Sequence, residues 1–190
     1  MRITGGRFGG RLLHGPDDER VRPTSDKVRQ AVFNILAHND FGRGFALENA
    51  RVIDLFAGTG AMGLEALSRG ARYGLFVDNS ADSRALIRRN VEELALTGAT
   101  KIWRRDATDL GPFSANSGGP FDLAFLDPPY RRNLLAPALR ALRDGGWLAP
   151  DVVVVAEHAV DEPMPDCDGF ESLDARNYGD TSVRFLSLTR

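Results

Sequence analysis

From residue 51 onward, short apolar runs alternate with stretches whose apolar positions recur every three or four residues. Arg51-Val52-Ile53-Asp54-Leu55-Phe56 predicts a buried strand, and Ala61 to Arg69 a helix with Met62, Leu64, Ala66 and Leu67 on one face. Tyr73 to Asp78 predicts a second strand. Ala81 to Leu96 predicts a long amphipathic helix, because Leu86, Ile87, Asn90, Val91 and Leu94 keep the i, i+3, i+4 spacing. Lys101 to Arg104 and Phe121 to Leu126 read as strands three and four. A helix over Leu134 to Arg143 is stopped by Gly145-Gly146. Val152-Val153-Val154-Val155-Ala156 has the composition of a fully buried strand.

Such alternation predicts a parallel sheet covered on both faces. After residue 165 the pattern changes. Gly169 to Arg176 and Ser182 to Leu188 read as two strands joined by Asn177-Tyr178-Gly179-Asp180. No helix fits between them, so they are expected as an antiparallel pair at the sheet edge. Residues 111–120 are rich in Gly, Pro and Ser and predict a flexible loop. The first 45 residues stand apart: Arg2 to Leu13 predicts a glycine-rich hairpin. Pro23-Thr24-Ser25-Asp26 then opens a helix capped by Thr24 or Ser25, with Val28, Ala31, Val32, Ile35 and Leu36 as its apolar face. The division is therefore a basic extension over 1–45 and a larger unit over 46–190.

Composition changes this picture little. With 26% charged and 43% hydrophobic residues, the 190-residue chain is an ordinary globular sequence. No apolar run approaches the roughly 20 residues needed to span a bilayer. Met1-Arg2-Ile3-Thr4-Gly5-Gly6 lacks the apolar core of a signal peptide. A single cysteine, Cys167, excludes an internal disulfide and a polythiolate zinc site, and His14, His38 and His158 show no metal spacing. A cytoplasmic, metal-free monomer is the expectation. Net charge is −2, but its distribution is uneven. Residues 1–51 carry nine basic against six acidic side chains, and residues 151–190 carry three arginines against nine acids.

The most informative stretch is Asp127-Pro128-Pro129-Tyr130, directly after the fourth strand. Two prolines end the strand and fix the backbone. They leave an acid, carbonyls without neighbouring N–H donors and an aromatic ring at a strand's carboxyl end, where open α/β sheets hold ligands. A flat ring bearing an amino group suits such a place. The Asp127 carboxylate and the Pro128 carbonyl accept from the amine, and the ring stacks on Tyr130.

Gly58-Thr59-Gly60-Ala61-Met62-Gly63 matches G-x-G-x-x-G between a strand and a helix, and Asp78 follows about 20 residues on. Read literally, this is a dinucleotide fingerprint for an NAD-dependent oxidoreductase. Read with Asp54, Phe56 and Ala57 in front, Asp-Leu-Phe-Ala-Gly-Thr-Gly has the form of class I S-adenosylmethionine-dependent methyltransferases. A tight turn without a ligand is a third alternative, disfavoured because Asp54, the glycines and Asp78 occur together. Arg104-Arg105-Asp106-Ala107 places another acid after the third strand, where such methyltransferases hold the adenine amine.

Over nearly its whole length the chain resembles the bacterial 16S rRNA guanine-N2 methyltransferases of the RsmD type. The resemblance rests on Arg2-Ile3-Thr4-Gly5-Gly6 with Gly10-Arg11, and on the block Arg22-Pro23-Thr24-Ser25-Asp26-Lys27-Val28-Arg29-Gln30-Ala31-Val32-Phe33-Asn34. It continues through Asp54 to Gly60 and Gly63 to Gly70 to Asp127-Pro128-Pro129-Tyr130. Where such proteins often carry Glu, this chain has Asp78. The resemblance implies a Rossmann-like fold: a mostly parallel seven-stranded sheet with an antiparallel C-terminal strand. It implies S-adenosylmethionine held by Asp54, Phe56, Ala57, Gly58, Thr59, Gly60, Asp78, Asn79, Asp106 and Ala107. Catalysis would fall to Asp127, Pro128, Pro129 and Tyr130, and RNA contact to Arg2, Arg7, Arg11, Arg22, Thr24, Arg131 and Arg132. The substrate would be 16S rRNA within an assembled or partly assembled small ribosomal subunit. A DNA adenine-N6 methyltransferase shares Asp-Pro-Pro-Tyr, although this chain has no room for a separate target-recognition domain. A non-catalytic RNA-binding assembly factor on the same fold is a further alternative.

Overall fold

The computed structural model describes residues 1–16, 25–114, 118–165 and 167–190. Along them run α1 (Asp26–His38), β1 (Arg51–Leu55), α2 (Ala61–Ser68), β2 (Tyr73–Val77), α3 (Ala81–Glu93), β3 (Thr100–Trp103), β4 (Phe121–Leu126), α4 (Leu135–Asp144), β5 (Leu148–Ala159), β6 (Phe170–Tyr178) and β7 (Thr181–Leu188). The strands form one sheet in the order β3-β2-β1-β4-β5-β7-β6. β1 to β5 pair in parallel, while β7 runs antiparallel to both β5 and β6. The expected mostly parallel sheet with its antiparallel C-terminal strand is thus observed. Gly179, at φ +60°, and Asp180 form the tight turn between β6 and β7.

Alternation along the central strands divides the core. Val52, Leu123, Phe125, Val153 and Val155 pack with α1, α2 and α3 on one face. Ile53, Leu55, Ala124, Leu126, Val154 and Ala156 pack with α4 and Trp147 on the other. Both faces are covered, which is why these strands read as continuous apolar runs rather than alternating ones.

The N-terminal residues do form a hairpin-like arm. Ile3 N–H donates to the Arg11 carbonyl at 3.0 Å, and Gly10 N–H to the Ile3 carbonyl at 2.8 Å. The arm is docked on α2: Thr4 N–H donates to Glu65 Oε2 at 2.8 Å, and Phe8 N–H to Ser68 Oγ at 3.0 Å. Ile3, Leu13, Val32, Phe33 and Leu36 share a cluster with the sheet residues.

Three expectations are corrected. α1 buries Val32 and Leu36 as expected, with Val28 and Ile35 against the core and Ala31 half-buried, but it also buries Arg29 and Phe33, which the expected face left out. Arg29 is buried because Asp26 and Glu65 face it and its guanidinium donates to the Arg2 carbonyl. β5 is much longer than its valine run and continues through Glu157 and His158, because β7 pairs with that extension. The 111–120 loop is anchored at its start: Gly111 accepts from Trp147 Nε1 at 2.8 Å, and Phe113 stacks edge-on against Trp147. The α1 cap is Ser25, whose Oγ accepts from Val28 N–H at 3.2 Å.

Candidate active site

The carboxyl ends of the parallel strands finish in register. Leu55 pairs with Val77 and with Leu126, Val77 with Trp103, and Leu126 with Ala156. The next residue along each strand is Phe56, Asp78, Arg104, Asp127 and Glu157. In sheet order that row reads Arg104, Asp78, Phe56, Asp127 and Glu157, so three acids share one end of the sheet, with Phe56 between Asp78 and Asp127. That is the ligand-bearing edge of an open α/β sheet.

Phe56 leaves β1 in the left-handed region, at φ +57°, a conformation costly for a bulky side chain and a mark of functional turns. The loop behind it is tightly held. Ala57 N–H donates to the Val77 carbonyl at 3.2 Å, and Gly60 N–H to the Ala57 carbonyl at 2.7 Å. Gly58 N–H donates to Asp78 Oδ2 at 2.9 Å, and Asp78 Oδ1 accepts from Ser80 N–H at 2.8 Å. Gly58 sits at φ +56°, and a Cβ there would meet nothing nearer than the Phe56 carbonyl at 3.9 Å. The glycine thus keeps one side of the loop open. Gly63 is required for contact instead: a Cβ would lie 2.4 Å from the Phe76 ring.

Asp54 lies under this loop, buried, with Oδ2 accepting from Gly63 N–H at 2.9 Å. Burial pushes its carboxyl well above the usual range. The Gly63 hydrogen bond opposes that shift, and the Asp127 and Asp78 charges reinforce it. Asp106 is exposed, and Thr108 folds back on it through Oγ1 at 2.7 Å and N–H at 2.8 Å, holding its carboxyl below the usual range. Ala107 beside it is buried and Asn79 is exposed.

Asp127 and Tyr130 are half-buried, Pro128 is buried and Pro129 exposed. The Tyr130 hydroxyl lies 3.1 Å from Thr181 Oγ1 at the start of β7, which fixes the ring. Beside it opens a cavity of about 90 Å³, lined by residues that include Pro128, Pro129, Tyr130, Pro163, Glu157 and His158. Arg184 Nε donates to His158 Nε2 at 3.5 Å, so Nδ1 carries the hydrogen and donates to the Ala159 carbonyl at 2.9 Å. His158 is buried and lines the cavity.

The arginines are spread over separate surfaces. Arg2 Nη1 donates to the Gly10 carbonyl at 3.0 Å, the Arg7 guanidinium lies 4.7 Å from the Phe8 ring centre, and Arg11 reaches the Glu93 carbonyl at 3.4 Å. All three are exposed on the arm. Arg131 pairs with Asp161 at 2.7 Å near Tyr130, and Arg132 is exposed. Arg22 and Thr24 lie outside the described residues.

Sequence reasoning missed three members of this neighbourhood. Glu157 directly follows a run of buried apolar residues, and that signal was available. Thr181 joins through a long-range pairing that no local pattern carries. Asn90 was read as one more position on an apolar face, yet it holds the loop: its Nδ2 donates to the Thr59 carbonyl at 3.0 Å. Among the described residues no helix is long and apolar enough to cross a membrane, and no cluster could hold a metal ion.

The model of the family described as Conserved hypothetical protein 95 matches residues 1–187. Over 167 residues the chain is 36% identical to Ribosomal RNA small subunit methyltransferase D of Escherichia coli strain K12, covering 87% of this chain and 78% of that one. The chain belongs to the RsmD family. Within it, the Bacillus subtilis protein YlbH is 35% identical over 170 residues, 89% of this chain and 88% of that one. A solved structure of the Escherichia coli protein yhhF superposes with a TM-score of 0.83 at 30% identity, covering 99% of this chain and 97% of that one. The literal NAD reading of the RsmD-type glycine loop gives way here. A dinucleotide fold orders its strands 3-2-1-4-5-6, whereas this sheet inserts an antiparallel β7 between β5 and β6.

Proposed function

We propose that this RsmD-family chain transfers a methyl group from S-adenosylmethionine to the exocyclic N2 of a guanine in 16S rRNA of the small ribosomal subunit. The observation that carries the reading is the placement of Asp127-Pro128-Pro129-Tyr130 in register beside the Phe56–Gly60 loop. The residues present fit the donor. Gly58 leaves open space on the loop, and the Asp78 and Asp127 carboxylates, whose charges act on Asp54, make this end of the sheet acidic, as suits a cationic ligand. When bound, S-adenosylmethionine supplies a methyl group made electrophilic by its sulfonium charge.

The chain's own residues do the rest. The Phe56–Gly60 backbone and Asp54 hold the amino-acid tail, Asp78 and Asn79 the ribose, and Asp106 and Ala107 the adenine. An aryl amine is a weak nucleophile because its lone pair is delocalised into the ring. The Asp127 carboxylate and Pro128 carbonyl accept its two N–H groups and favour a pyramidal nitrogen whose lone pair faces the methyl group. Tyr130, its hydroxyl tethered to Thr181, offers a fixed face for the flipped base. The Asp127 carboxylate would take the N2 proton released as the new N–C bond replaces the donor's S–C bond, and positioning of the amine by these residues would supply most of the acceleration. Residues 1–45 would grip RNA backbone through Arg2, Arg7, Arg11, Arg22 and Thr24, with Arg131 and Arg132 beside the target, and residues 46–190 would carry the chemistry.

The test is mass mapping of methylated nucleotides in small subunits from cells with and without this protein. One N2-methylguanine should vanish with the protein. An unchanged map would overturn the reading.

A further inference from the structure

Resting on that reading, we propose that Glu157 is the residue that selects guanine, by accepting the N1–H of a base held in the cavity beside Tyr130. Asp-Pro-Pro-Tyr alone does not explain the choice of base, since a carboxylate and a carbonyl hold the amine of adenine as well as that of guanine. The structure adds a second carboxylate. Leu126 and Ala156 form the last paired row of β4 and β5, and Asp127 and Glu157 follow them on adjacent strands. Glu157 is 3% exposed and reaches the same cavity as Pro128, Pro129 and Tyr130. Prolines and a tyrosine line that cavity together with Glu157, a lining that suits a planar ring with a donor edge.

Guanine and adenine differ where this acid stands. Guanine presents N1–H and N2–H2 as adjacent donors, while adenine presents a bare N1 lone pair. A carboxylate offers about four acceptor positions and no donor when ionised. Glu157 can therefore take the N1–H and keep its protein partners, while Asp127 and Pro128 take the N2 hydrogens. Facing adenine, the same carboxylate meets a lone pair. A site built around a substrate donor rejects the analogue lacking it far more strongly than apolar fit can.

The test uses the full-length protein and small-subunit particles whose mapped target nucleotide is either guanine or 2,6-diaminopurine. Both bases carry the 2-amino group, but diaminopurine has a lone pair at N1. Wild-type protein should prefer guanine by at least about 100-fold in kcat/KM. Glu157→Gln, whose amide can donate to N1, should shrink that preference to below about tenfold, with S-adenosylhomocysteine affinity unchanged. Glu157→Asp keeps the charge and should slow both substrates while retaining the preference. An undiminished preference in a Glu157→Gln protein that still binds S-adenosylhomocysteine overturns the proposal. So does loss of the preference in Glu157→Asp. Absence of any methyl transfer to guanine by the wild type would instead sink the underlying function.

Discussion

Asn90 and Thr59 are joined by a hydrogen bond of 3.0 Å from the α3 side chain to the carbonyl at the centre of the glycine loop. The same amide accepts from His14 N–H at 2.7 Å and donates to the His14 carbonyl at 3.1 Å. One buried side chain therefore ties the N-terminal arm to the loop proposed to hold the methyl donor. Asn90→Ala strands three backbone groups, at roughly 1–3 kcal/mol of stability for each that water does not reach. The expected result is a lower urea midpoint together with several-fold weaker S-adenosylhomocysteine binding. Full affinity at reduced stability would show that the arm and the loop are not coupled.

Asp54 makes stability depend on pH in a predictable direction. Its folded carboxyl holds a proton more tightly than in the unfolded chain, where it titrates near about 3.9. Below that value both states are protonated and no penalty exists. As pH rises above it, the unfolded chain ionises first and folding stability falls, until the folded carboxyl also ionises. Asp54→Asn keeps an acceptor for Gly63 N–H and removes the titration. Denaturation from about pH 4 to 8 should show the variant gaining on wild type as pH rises. A constant difference across that range would contradict the assignment.

The sheet and its helices were legible because the buried parallel strands read as unbroken apolar runs and the helices kept their spacing. β4 was read to the residue, since Phe121 opens the run and Pro128 ends it. The family and the class I fold followed from motifs sitting at strand ends. What stayed hidden depends on distant partners. Arg29 looks like a surface residue until Glu65, two elements away, is seen to face it. Glu157 and His158 fell beyond the expected strand, which stopped at Ala156, because their pairing partners, Val183 and Ser182, come much later in the chain.

Glu65 is the hub that fastens the arm to α2 and α1. Its buried carboxylate accepts from Thr4 N–H at 2.8 Å, Thr4 Oγ1 at 2.7 Å, Arg69 Nε at 2.7 Å and Arg29 Nε at 3.3 Å. Removing one partner of a buried ion pair leaves the other charged and dry, at about 3–5 kcal/mol. Glu65→Ala should lose about that much in urea unfolding, far more than the exposed pair partner Arg89→Ala, which sits beside Glu93. Equal losses for the two variants would refute the hub.

Asp127 and Tyr130 should separate chemistry from stacking. Asp127→Ala removes an acceptor that the reading requires only once the amine is being attacked. Its kcat should fall by about a thousandfold or more while S-adenosylhomocysteine affinity stays within about twofold. Tyr130→Phe removes the hydroxyl that bonds Thr181 and keeps the ring, so its turnover should fall by less than about tenfold. Tyr130→Ala loses the stacking face, worth about 1–3 kcal/mol for a base, and should act mainly on KM for the ribosomal substrate. Single-turnover assays on small subunits, with donor binding measured in parallel, would resolve the three. Near wild-type turnover in Asp127→Ala would remove Asp127 from the reaction. A Tyr130→Phe defect as large as that of Tyr130→Ala would mean that the tether to β7, rather than the ring, is what the base requires.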